Sequence, residues 1–114
     1  MKTEDIKKAI DYKKAYLNLV HFALDKGCSI TVWYDGEEEL LKSKDYKAIK
    51  DTIENMDEAE ISIYGHYDKQ VGWAYIIPYN GDEDSISDWT TTSLLNEWDK
   101  QFQKLTEELE VAWK

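Results

Sequence analysis

The sequence contains no arginine, and all 14 of its basic residues are lysine. Recognition of phosphate or carboxylate by a planar fork of donors is therefore disfavoured, because only a guanidinium presents that geometry. An arginine-free, lysine- and isoleucine-rich composition is also what an AT-rich genome produces. The one cysteine, Cys28, excludes an internal disulfide and a thiolate metal cluster, leaving an intermolecular bridge or a free thiol. With 5 glycines there is little room for a phosphate-cradling loop, and no Gly-x-Gly-x-x-Gly, Walker-type loop or nucleophile elbow is present. His21 and His66 are the only imidazoles and lack the short spacing of a zinc site. No apolar run approaches the ~20 residues of a bilayer span. The start, Met1-Lys2-Thr3-Glu4-Asp5, has no apolar signal core, so the expected location is the cytoplasm.

What is present is a chain of 114 residues, 42% hydrophobic and 13% aromatic, read as a single domain spanning 1–114. Acids outnumber bases 24 to 14 for a net charge of -10, which disfavours nucleic acid and membranes as direct partners. The imbalance is uneven along the chain. Residues 1–28 hold Lys2, Lys7, Lys8, Lys13, Lys14 and Lys26 against four acids, so the whole of the acid excess lies beyond them.

Ile6, Ile10, Leu17, Val20 and Leu24 recur at helical spacing, predicting a helix over Thr3 to Lys26 with Thr3 as its cap and Gly27 as its stop. Ser29 to Tyr34 alternates as a strand, Asp35-Gly36 signals a turn, and Glu39 to Lys42 folds back as the hairpin partner. Ser43 has the character of an N-cap for a helix over Lys44 to Asn55, carried by Tyr46, Ile49, Ile53 and Met56. Glu60 to His66 and Val71 to Tyr79 read as strands, with Pro78 at the end of the second, and Asn80 to Thr92 reads as a loop. Leu94, Trp98, Phe102, Leu105, Leu109 and Ala112 or Trp113 give the strongest helical period. The expected class is α+β, in the order α-β-β-α-β-β-α, with a four-stranded, largely antiparallel sheet against helices.

Candidate chemistry is sparse. Asn80, Asp82 and Asp84 alternate as in a calcium loop, but Ser85 stands where the sharp turn requires Gly and Thr91 where the bidentate Glu belongs. A nucleophile would have to be Cys28 or a hydroxyl activated by a histidine, and a small buried thiol is the simpler reading of Cys28. No catalytic residue, metal ligand or cofactor is assigned. The strands place Trp33 with Ser29 and Thr31, Tyr64 with Ser62 and His66, and Trp73 with Tyr75, Ile77 and Tyr79, each set on one face. Solvated sheet faces carry Thr and Tyr for strand propensity alone, whereas interfaces use Tyr and Trp as anchors, so Trp33, Tyr64, Trp73 and Tyr75 are partner-binding candidates.

Strand parity brings three acidic stretches to one end: Asp35, Glu37, Glu38 and Glu39; Glu54, Asp57, Glu58 and Glu60; and Asp82, Glu83, Asp84 and Asp88. The second stretch lies at a helix C-terminus, where the backbone dipole disfavours negative charge by roughly 0.3 to 1 kcal/mol per group, so local stability does not explain it.

The run from Val71-Gly72-Trp73 through Asn80-Gly81-Asp82-Glu83-Asp84 to Asp88, with Ser43-Lys44-Asp45-Tyr46, resembles small acidic accessory proteins of tailed bacteriophages. These carry a similar Gly-Trp strand followed by an acidic loop, and the likeness covers roughly residues 29–100. It implies an accessory phage protein acting in the host cytoplasm and transfers no catalytic residue. The expected function is a non-enzymatic binding protein that inhibits a host nucleic-acid-handling or defence protein, its carboxylates taking the place of phosphates on a basic surface. The alternatives are a structural or regulatory oligomer, such as a homodimer, using the aromatic sheet face, and a divalent-metal-dependent enzyme at the acidic end.

Overall fold

The computed structural model describes residues 14–81 and 84–112. Among them the order is α1 (Ala15–Asp25), β1 (Ser29–Tyr34), β2 (Glu37–Ser43), α2 (Tyr46–Glu54), β3 (Ala59–Tyr64), β4 (Gln70–Ile76), β5 (Ile86–Trp89) and α3 (Ser93–Ala112). The class is α+β, and the sheet is antiparallel throughout in the order β2-β1-β3-β4-β5. It has five strands where the sequence predicted four. The addition is β5, which lies inside the stretch read as a loop. Four residues with two polar groups and a bulge give too little alternation to register as a strand.

Alternation divides the sheet. Ile30, Val32, Ile61, Ile63, Ala74 and Ile76 are fully buried beneath the helices, and each isoleucine contributes about 1.5–3 kcal/mol by leaving water. Gly72 lies on this same face, and a Cβ there would come within 3.3 Å of Ile63 and 3.6 Å of Leu95, so its bareness lets α3 settle onto β4. From α3, Leu95, Trp98 and Phe102 are buried, while Leu94 and Leu105 are half-buried. Leu109, Ala112 and Trp113 lie outside the residues whose side chains are described.

α1 is buried around most of its circumference, through Tyr16, Leu17, Leu19, Val20 and Ala23, because it sits among the sheet, α2 and α3. Its buried Asn18 accepts the indole N–H of Trp98 at 2.6 Å. The helix starts at Ala15, and the hydroxyl of Ser85, 69 residues along the chain, accepts its Tyr16 N–H at 3.2 Å. Thr3, Ile6 and Ile10 lie outside the described residues.

Asp35 and Gly36 both have positive φ, as a two-residue turn matched to strand twist requires, so the β1–β2 hairpin is longer than the sequence predicted. β3 ends at Tyr64, before His66, and Tyr67 and Asp68, also at positive φ, turn the chain into β4. The cap of α2 is Asp45, whose carboxylate accepts the Ala48 N–H at 3.3 Å; Ser43 instead accepts the Asp45 N–H. β4 ends at Ile76, so Ile77, Pro78 and Tyr79 belong to the loop rather than to the strand.

Candidate acidic and aromatic binding surface

With β1 drawn upward, the Asp35-Gly36 turn, the end of α2, the start of β3 and the loop after β4 all lie at the upper end. The loop touches the helix, because the Tyr79 hydroxyl donates to the Glu54 carbonyl. That bond satisfies a C-terminal carbonyl of α2, a group its own helix leaves unpaired. Tyr79, expected on the sheet face with Trp73 and Tyr75, therefore joins two of the acidic stretches instead.

Asp35, Glu37, Glu38, Glu39, Asp57, Glu58, Glu60, Asp84 and Asp88 are exposed. Asp82 and Glu83 lie outside the described residues. Glu54 is half-buried and paired with Lys50 at 3.8 Å across one turn of α2, which offsets its unfavourable place at the helix end. The other described ion pairs are Lys26 with Glu97, Lys42 with Asp68 and Lys47 with Asp51. None of them neutralises Glu38, Glu58, Glu60 or Asp88. Lys14 reaches the upper loop and donates to the Pro78 carbonyl at 3.2 Å.

The sheet face turned away from the helices carries the aromatics. Trp33 stands opposite both Glu38 and Glu60, Glu60 opposite Tyr75, and Tyr75 opposite Asp88. A row across all five strands thus alternates acid and aromatic, with neighbours about 4.8 Å apart from strand to strand. Both edge strands reach this row through irregular pairing. Glu39 is extra between the Val32–Leu40 and Trp33–Glu38 pairs, and Ser87 is extra between Ile76–Ile86 and Tyr75–Asp88. The second irregularity puts Asp88 beside Tyr75 and sends Trp89 to the helix side, where it lines a cleft with Trp98 and Phe102.

Two indoles brace this face. Trp33 Nε1 donates to Ser62 Oγ at 3.1 Å, and Trp73 Nε1 donates to Glu60 Oε2 at 3.2 Å. They approach β3 from opposite sides. Thr31 and Ser62 are buried on this face even though no described helix crosses it. The Tyr75 hydroxyl is pushed up to about 12, first by its hydrogen bond to Glu58, then by partial burial and the charges of Glu58 and Glu60. The ring and the carboxylates are therefore coupled.

Tyr64 is not part of this group. It lies on the same face but at the lower end, opposite Ser29, with the Lys42 ammonium 4.8 Å over its ring. Cys28 is buried, and burial raises its thiol pKa against a smaller lowering by Lys44. Among the described residues no three His, Cys, Asp or Glu side chains lie together in a way that could hold a metal ion. Strand alternation placed Thr31 with Trp33, Ser62 with Tyr64 and Tyr79 with Trp73, but it did not show that Ser62 accepts the Trp33 indole or that Tyr79 donates to Glu54.

Comparison with family models, with curated proteins and with solved structures finds no match.

Proposed function

We propose that the chain is a non-enzymatic acidic binding protein that inhibits a nucleic-acid-handling or defence protein of a host by covering its basic surface as phosphates would. The resemblance to phage accessory proteins supplies the host setting. The observation that carries the reading is that the described acids of the three stretches lie towards one end, where among them only Glu54 has an ion-pair partner. Carboxylates concentrated on one surface without cations between them repel one another, whereas a cationic partner finds a field that steers its approach. Affinity capture from host lysate, at low and high salt and with duplex DNA as competitor, tests it. Partners released by salt and displaced by DNA are expected. Partners that survive high salt and ignore DNA would overturn phosphate mimicry.

A second reading, an oligomer joined through the aromatic face, is favoured by the half-buried Trp33, Trp73 and Tyr75 on a sheet face that no described helix crosses. The same face opposes it, because two copies laid together would set Glu38, Glu60 and Asp88 against like charges. Concentration-dependent self-association that persists at low salt would establish it.

A further inference from the structure

We infer that the outer sheet face is a recognition surface for arginine side chains of a basic protein segment, the guanidinium lying over an indole or phenol ring and pairing with the carboxylate beside it. The inference rests on the acidic-partner reading above and names the chemistry that reading leaves open. Its basis is the row Glu38, Trp33, Glu60, Tyr75, Asp88, in which every aromatic side chain has a carboxylate on each side.

The molecule contains a filled version of this arrangement. At the lower end of the same face, Lys42 stands 4.8 Å over the Tyr64 ring and 3.6 Å from the Asp68 carboxylate. Ring, acid and cation are all supplied by the chain. In the upper row the ring and the acid are supplied, and no described lysine pairs with Glu38, Glu60 or Asp88. The indoles cannot turn their N–H groups to an incoming ligand, because Ser62 and Glu60 already accept them. What they offer is the π face, which attracts a cation, and a planar guanidinium uses it better than an ammonium does. Glu60 holds Trp73 through one oxygen and has its second for the ligand, so one group orients the ring and pairs with the ligand. Charge decides between occupants. A second copy of this chain, with a net charge of -10, would be repelled, and so would nucleic acid.

The test titrates the full chain with an alternating Arg-Gly peptide and a Lys-Gly peptide of equal length and charge, following calorimetry and the indole N–H signals of Trp33 and Trp73. The Arg-Gly peptide is expected to bind about tenfold more tightly at physiological ionic strength. Trp73→Leu or Trp33→Leu should weaken the Arg-Gly peptide more than the Lys-Gly peptide and so abolish that preference, with circular dichroism verifying the fold. Trp73→Phe, which keeps a π face, should retain it. Glu60→Gln should weaken both peptides. Equal affinity for the two peptides, lost when the carboxylates are neutralised, would overturn the arginine inference and leave the acidic-partner reading standing. Failure of both peptides to bind at low salt would overturn the two together. A dimer that Trp73→Leu dissociates, with no peptide response, would overturn the inference in favour of a second copy.

Discussion

Trp98 ties α3 to α1 by shape and by a single polar contact, and the two contributions are separable. The side chain is 3% exposed, stacks on Phe102 with ring centroids 5.4 Å apart, and donates to Asn18 at 2.6 Å. Trp98→Ala removes all three features and should cost about 3–5 kcal/mol. Trp98→Phe keeps a stacked ring but leaves the Asn18 oxygen buried without its donor, a loss of about 1–3 kcal/mol before any packing defect. Asn18→Leu orphans the indole N–H and should cost a similar amount. The double variant removes both polar atoms, so it should be less destabilised than the sum of the singles by about 0.5–3 kcal/mol. Urea unfolding followed by far-ultraviolet circular dichroism measures each term. At an m-value of about 1–3 kcal/mol/M, Trp98→Ala should lower the midpoint by about 1 M or more. Strictly additive single variants, or a neutral Trp98→Ala, would mean that α3 does not pack on α1 through this pair.

Tyr75 should titrate near 12, above the ordinary value of 10.0, and Glu58→Gln should lower it, as read by tyrosinate absorbance; an unchanged titration would remove the Tyr75–Glu58 bond from the site. Because the folded state holds this proton more tightly, the associated stability is fully present below pH 10.0 and is lost as pH rises through about 12. Cys28 is buried with a raised thiol pKa, so alkylation at neutral pH should be slow in the folded chain and fast in denaturant. Cys28→Ser should retain partner binding, whereas loss of binding in a folded Cys28→Ser variant would reopen a nucleophilic role.

The alternation of Ile30, Val32, Ile61 and Ile63 and the helical recurrence of Trp98 and Phe102 made most of the fold legible, because burial on one side leaves a period in the sequence. β5 was not legible. Its two polar residues and its bulge conceal a strand whose pairing partner is ten or more residues away. The cap of α1 was hidden for a related reason, since Ser85 is brought to Tyr16 only by the finished fold. Parity of strands and helices was enough to gather the acidic stretches at one end. Which acids face the aromatic rings was not, because the extra residues Glu39 and Ser87 set the register at the two sheet edges. Alternation grouped Tyr79 with Trp73 and Tyr64 with His66, whereas β4 ends before Tyr79 and β3 ends before His66.

The central claim is that the carboxylates at the upper end carry partner binding, and the salt dependence of affinity tests it most directly. Association constants with a captured partner should be measured against ionic strength for the wild type and for two triple variants. One combines Glu37→Gln, Glu38→Gln and Glu39→Gln; the other combines Glu54→Gln, Asp57→Asn and Glu58→Gln. Wild-type affinity should fall steeply with salt, and each triple variant should bind more weakly, associate more slowly and show a shallower slope, with its fold intact. Variants that match the wild type in affinity and slope at low salt, while a folded Trp73 variant fails to bind, would contradict the claim.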